Sequence, residues 1–116
     1  MNIREFRDFA NKVLSHIGYE ADCYVVDEVS IFFDGITIYS EKLDNGDIGW
    51  GSMAEELDYD DYPHVIDIAL PYEERKSIKG TVVVGRTFEN ALKCSILCLI
   101  ENRLDNFIDF NRALIN

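Results

Sequence analysis

The chain has 116 residues, 47 % of them hydrophobic and 28 % charged, with 22 acids against 11 bases and a formal net charge of -11. That length predicts a single domain, and the composition is that of a globular chain rather than a disordered one. The acid excess argues against direct binding to nucleic acid, whose affinity comes from cationic side chains that displace counterions. It suits a basic partner instead, and would speed that partner's approach in a salt-dependent way.

The longest apolar run, Ile96 to Ile100, is far below the roughly 18 to 20 residues that span a bilayer, so no membrane contact is expected. The first residues, Met1 to Asp8, carry acids and no apolar core, which predicts no secretory signal. Three cysteines without an export signal read as free thiols in a reducing compartment, and the expected location is the cytoplasm.

Asn2, with Glu5 three residues on, has the spacing of a capping box, and Ile3, Phe6, Phe9, Ala10, Val13, Leu14 and Ile17 recur at helical intervals. Gly18 is placed to end that helix in a left-handed conformation. From Asp22 the period falls to two. Cys23 to Val26 predicts a short strand, and Val29–Phe33 and Ile36–Ser40 flank Asp34-Gly35, a hairpin signal that pairs Phe33 with Ile36 and Ile31 with Ile38. Val29, Ile31, Phe33, Ile36 and Ile38 then share a core face. Ser30, Phe32, Thr37 and Tyr39 share the other, which reads as an exposed or partner-facing surface.

Residues 43–74 hold ten carboxylates and no lysine or arginine. Within this stretch an acidic loop insert is expected at about 43–64. Asp44-Asn45-Gly46-Asp47 reads as a turn, Gly49-Trp50-Gly51 as a loop, and Ser52–Leu57 as one capped helical turn. Asp58 to Pro63, where acids alternate with tyrosines, reads as a surface loop. Val65–Leu70 and the segment from Gly80 to Gly85 predict strands. Thr87 caps a long C-terminal helix with Glu89 in its first turn. Phe88, Ala91, Leu92, Ile96 and Leu99 point one way on it, and Leu104, Phe107, Ile108 and Ile115 centre on a rotated face. Either the helix breaks near Asn102–Asn106, or the second face packs on the first helix or on a second copy of the chain.

The expected fold is α+β: a two-layer sandwich in which a mainly antiparallel sheet of about five strands carries the N-terminal and the long C-terminal helix on one face. No catalytic, metal or cofactor motif emerges, and the chain reads as non-enzymatic. Cys94 and Cys98 have a ligand-like spacing but lack a second pair, and buried structural cysteines are the better reading. His64 lacks a definable pocket and partner for general-base work, and His16 falls on the polar side of the first helix. The acids of Glu55 to Asp61 do not follow calcium-loop spacing. Gly80-Thr81 and Gly85-Arg86 do not form a phosphate loop.

What remains is an acidic surface interleaved with aromatics. Glu55, Glu56, Asp58, Tyr59, Asp60, Asp61, Tyr62 and Trp50 are the expected partner-binding residues, since aromatics are frequent hot spots and acids steer a basic protein, here a nucleic-acid-handling enzyme. Leu104, Phe107 and Ile108 are the expected face of a homodimer.

Gly85 to Ile96, a strand end running into an alanine-bearing amphipathic helix, resembles the closing element of small phage-encoded α/β proteins, over about a tenth of the chain. Among such phage proteins, small acidic anti-CRISPR and anti-restriction inhibitors are similar in size and charge. That resemblance implies a non-enzymatic host-defence inhibitor; on the acidic surface itself, carboxylates spaced like phosphates would let it occupy a basic groove as a nucleic-acid mimic. The order α-β-β-β-α-β-β-α, with Ser52–Leu57 as a shortened middle helix, also resembles class I type III secretion chaperones. This second resemblance implies an acidic dimeric chaperone or scaffold.

Overall fold

The structure, a computed structural model, describes residues 2–54, 59–69 and 82–103. It opens with α1 (Ile3–His16). Asn2 caps it, its side-chain oxygen accepting the Glu5 N–H at 3.0 Å. The helix ends where the spacing places the stop: Gly18 has φ +73°, and the Tyr19 N–H reaches back to the Leu14 carbonyl at 2.9 Å. This closure of the last turn needs a residue free to adopt a left-handed backbone.

Among the described residues five strands follow: β1 (Tyr24–Asp27), β2 (Ser30–Phe33), β3 (Ile36–Lys42), β4 (Ile48–Ala54) and β5 (Val82–Gly85). They form one antiparallel meander in sequence order. The Asp34-Gly35 hairpin is as expected, both residues having positive φ and Phe33 facing Ile36. A 3-10 turn (Tyr59–Asp61) and α2 (Pro63–Ala69) lie among the described residues between β4 and β5, and α3 (Phe88–Arg103) closes the described chain. The Asn90 N–H donates to the Thr87 hydroxyl oxygen at 3.1 Å, the predicted cap.

α1 and α3 pack on the same side of the sheet, completing the two-layer α+β fold. Ile31, Phe33, Ile36, Ile38, Ser52 and Ala54 face them and are fully buried. Phe6 and Phe9 of α1 meet Phe88 of α3 at ring-centroid distances of 4.7 and 6.1 Å, so the two helices join through aromatic contacts above the sheet.

Four expectations are corrected. The Gly-Trp-Gly segment is not a loop but part of β4, an interior strand between β3 and β5, and Ser52 belongs to that strand rather than to a helical turn. Its glycines make room for neighbouring side chains: a Cβ at Gly51 would stand 2.4 Å from the Tyr39 ring, and one at Gly49 2.9 Å from Leu43. A glycine in a strand often marks such close approach rather than a turn. The segment beginning at Val65 is not a strand. Pro63 starts α2, whose first bonds run from the Val65 and Ile66 N–H groups to the Tyr62 carbonyl, and Val65 and Ile66 bury against α3. Proline suits this position because the first helical N–H has no partner within the helix. Finally, Val29 is 47 % exposed, in the β1–β2 turn rather than on the core face.

α2 also explains α3. From Ala91 to Ile100 only Lys93 escapes burial, because α3 has the sheet on one side and α2 on another. The rotated second face, with Leu104, Phe107 and Ile108, lies outside the described residues.

Candidate interaction site

The antiparallel meander sends the β1–β2 and β3–β4 turns to the same end of the sheet. These turns carry Asp27 and Glu28, and Asp44 and Asp47, with Glu41 near the end of β3; all five are exposed. Among the described residues, Arg4, Lys42 and Arg86 are the bases at that end. Two of the carboxylates organise their own turns. Asp27 accepts the Val29 N–H at 2.9 Å and the Ser30 hydroxyl at 2.8 Å, and these bonds, led by the backbone one, hold its carboxyl below the usual range. Asp47 closes the β3–β4 turn: its carboxylate accepts from the Asn45 side-chain amide at 3.0 Å, its backbone carbonyl accepts the Leu43 N–H at 2.7 Å, and Gly46 has φ +89°.

Between this end of the sheet and the start of α1 lies a cavity of about 440 Å³, lined by Asn2, Ile3, Phe6, Glu28, Ser40, Ile48 and Trp50. Its inner wall is fixed by aromatic packing. Trp50 sits 4.6 Å from Phe6 and 5.0 Å from Phe88, centroid to centroid, and only 8 % of it is exposed, so its uncovered part borders the cavity. Ile48, by contrast, is 62 % exposed at the rim.

The expected contact residues divide sharply. Tyr59 is a core residue with 0 % exposure, which removes it from any contact surface. Its hydroxyl shares a 2.6 Å hydrogen bond with Ser52 Oγ, which in turn shares one with Ser95 Oγ. Ser95 donates to the Ala91 carbonyl at 2.7 Å. A carbonyl can only accept, so the chain of donors runs Tyr59 to Ser52 to Ser95 to Ala91 and ties the 3-10 turn, β4 and α3 together. Burial, before any other cause, pushes the Tyr59 phenol well above its ordinary pKa. Tyr62 is half-buried against the same core. Alternating acids and tyrosines therefore describe a segment whose tyrosines anchor it inward and whose Asp61 remains outside. Asp60 lies in the 3-10 turn, and Glu55, Glu56 and Asp58 lie outside the described residues. Trp50 is the one expected aromatic that reaches the cavity.

Glu28, Ile48, Ser40 and the first turn of α1 are the cavity residues that sequence reasoning missed. The one available signal was Ile48, an apolar residue directly after an acidic turn. The cavity itself depends on how α1 meets the sheet.

The opposite face of the sheet has no helix on it among the described residues. Tyr24 and Phe32 pair there at 5.2 Å, Tyr39 lies over Gly51, and Met53 is exposed, in keeping with the expected half-polar surface. His16 is exposed in the last turn of α1, and His64 is exposed in α2. Cys23, Cys94 and Cys98 are buried and form no disulfide, as structural cysteines should be. Among the described residues no three His, Cys, Asp or Glu side chains group to hold a metal ion, and no helix is long and apolar enough to cross a membrane. Compared with family models, curated proteins and solved structures, the chain matches none.

Proposed function

We propose that this chain is a non-enzymatic, cytoplasmic binding protein that holds and inhibits a basic, nucleic-acid-handling protein through its carboxylate-rich surface, in the manner of phage counter-defence inhibitors. The observation that carries this reading is the end of the sheet where Asp27, Glu28, Glu41, Asp44 and Asp47 are all exposed beside an aromatic-walled cavity, in a chain of net charge -11. Exposed carboxylates on short turns face solvent in positions set by the sheet. A basic surface approaching them gains long-range attraction and register. Preformed geometry also limits the ordering cost of association. A partner whose own ligand is nucleic acid already displays spaced cations, so carboxylates can occupy the same groove that phosphates would.

The test is capture of partners from host lysate with the tagged chain at rising salt, with duplex DNA or RNA as competitor. A basic protein released by salt and displaced by nucleic acid is the expected result. A partner held at high salt and indifferent to nucleic acid would point to an apolar interface and remove the mimicry reading.

A further inference from the structure

We propose that the cavity between α1 and the turn end of the sheet receives one lysine or arginine side chain of the basic partner, an inference that rests on the binding function proposed above. The lining is amphipathic in a specific order. Ile3, Phe6, Ile48 and Trp50 make the apolar wall, Asn2 and Ser40 add neutral polar groups, and Glu28 is the single charged residue among them. Asn2 is already engaged, its Oδ1 accepting the Glu5 N–H. Arg4 and Lys42 stand at the same end without lining the space.

Lysine and arginine are the side chains that lay a long methylene stem on apolar surface while keeping a charged head in a polar setting. Here the stem matches the Ile48 and Trp50 wall, and the head matches the Glu28 carboxylate. Aromatic rings in the wall add further attraction for a cation. An acidic group would meet Glu28 with no cation in the lining to offset it. A purely apolar side chain would crowd Glu28 without pairing it. The space is open to solvent on one side, and its volume of about 440 Å³ leaves room for one basic side chain and the backbone that delivers it. The contacts of Phe6 and Phe88 with Trp50 brace the wall in advance, so little needs to order on binding.

Trp50 is the only tryptophan in the chain, so its fluorescence and indole N–H resonance report on this site alone. Acetylated and amidated Gly-Arg-Gly, Gly-Lys-Gly, Gly-Leu-Gly and Gly-Glu-Gly are titrated into the full chain. The arginine and lysine peptides should give a saturable Trp50 response, and the leucine and glutamate peptides none over the same range. Glu28→Gln should weaken the response roughly two- to fivefold, and Ile48→Ala by about threefold or more. Both residues are exposed, and circular dichroism verifies that the variants fold. No saturable response to either basic peptide, or an equal response to the leucine peptide, overturns the assignment. The double variant then serves in the lysate capture. Salt-sensitive capture that the double variant retains in full overturns the role of the cavity alone. Absence of salt-sensitive capture by the wild type overturns the binding function and this inference with it.

Discussion

The two faces of one sheet have opposite roles. Phe33 and Phe32 are chain neighbours on β2, yet Phe33 is sealed beneath the helices while Phe32 lies on the other side and leans on exposed Tyr24. Strand alternation alone separates them. Residues on the helix side hold the fold, and residues on the open side and at the turn end are available to a partner.

The largest expected effect is the contrast between those two phenylalanines. Phe33→Ala should cost about 3–5 kcal/mol in chemical denaturation, because it empties a closed site. Phe32→Ala should cost clearly less, since it lies on the open face and is only partly buried. Equal losses would mean that the open face is covered in solution.

Next comes the buried hydroxyl chain that joins the 3-10 turn and α3 to β4. Ser52→Ala removes the acceptor for Tyr59 and the donor to Ser95, leaving buried polar atoms short of partners, for about 1–3 kcal/mol. Tyr59→Phe removes only the terminal donor and should cost about 0.5–1.5 kcal/mol. The reverse order would contradict the inferred direction of donation.

The helix side also governs thiol reactivity. Burial, with a smaller effect from the Asp22 charge, pushes the Cys23 thiol up to about 12, and Cys94 and Cys98 are sealed within α3. A thiol reagent at mildly alkaline pH should therefore react slowly with the native chain and rapidly with all three cysteines once urea unfolds it. Prompt reaction of native Cys94 or Cys98 would show that α3 opens, and prompt reaction of Cys23 that the segment before β1 does.

The smallest effect belongs to the turn end. The Asp27 carboxyl is held low in the folded chain, so its contribution is complete above the ordinary carboxylate value of 3.8 and is lost as pH falls through the lower folded value. The melting-temperature difference between wild type and Asp27→Asn should be steady above about pH 5 and shrink as the pH is lowered toward about 2. A difference that grows on acidification would contradict the assignment.

Much of this architecture was legible because local signals agreed with one another. Asn2 and Gly18 bound α1, Asp34-Gly35 fixes the register of β2 with β3, and Thr87 starts α3. The misreadings arose where a residue's role depends on distant chain. Gly49 and Gly51 carry a turn signature, but they are small because Leu43 and Tyr39 fold over them. Val65 and Ile66 begin a short apolar run whose period does not distinguish strand from helix, and packing on α3 decides it. Tyr59 looked like a surface aromatic because acids flank it, while its partners Ser52 and Ser95 come from two other elements. The cavity is legible only once α1 rests on the sheet, since it joins the first turn of the helix to the β1–β2 turn and to β3 and β4.

The central claim is that tight partner binding requires the carboxylates at the turn end. The most direct measurement is the affinity of the captured partner as a function of salt, for wild type and for a variant with Glu28, Glu41, Asp44 and Asp47 changed to Gln or Asn. The account predicts wild-type affinity that falls steeply with salt, and a variant that binds more weakly with a flatter dependence. Equal affinity and equal slope for the two proteins would contradict it.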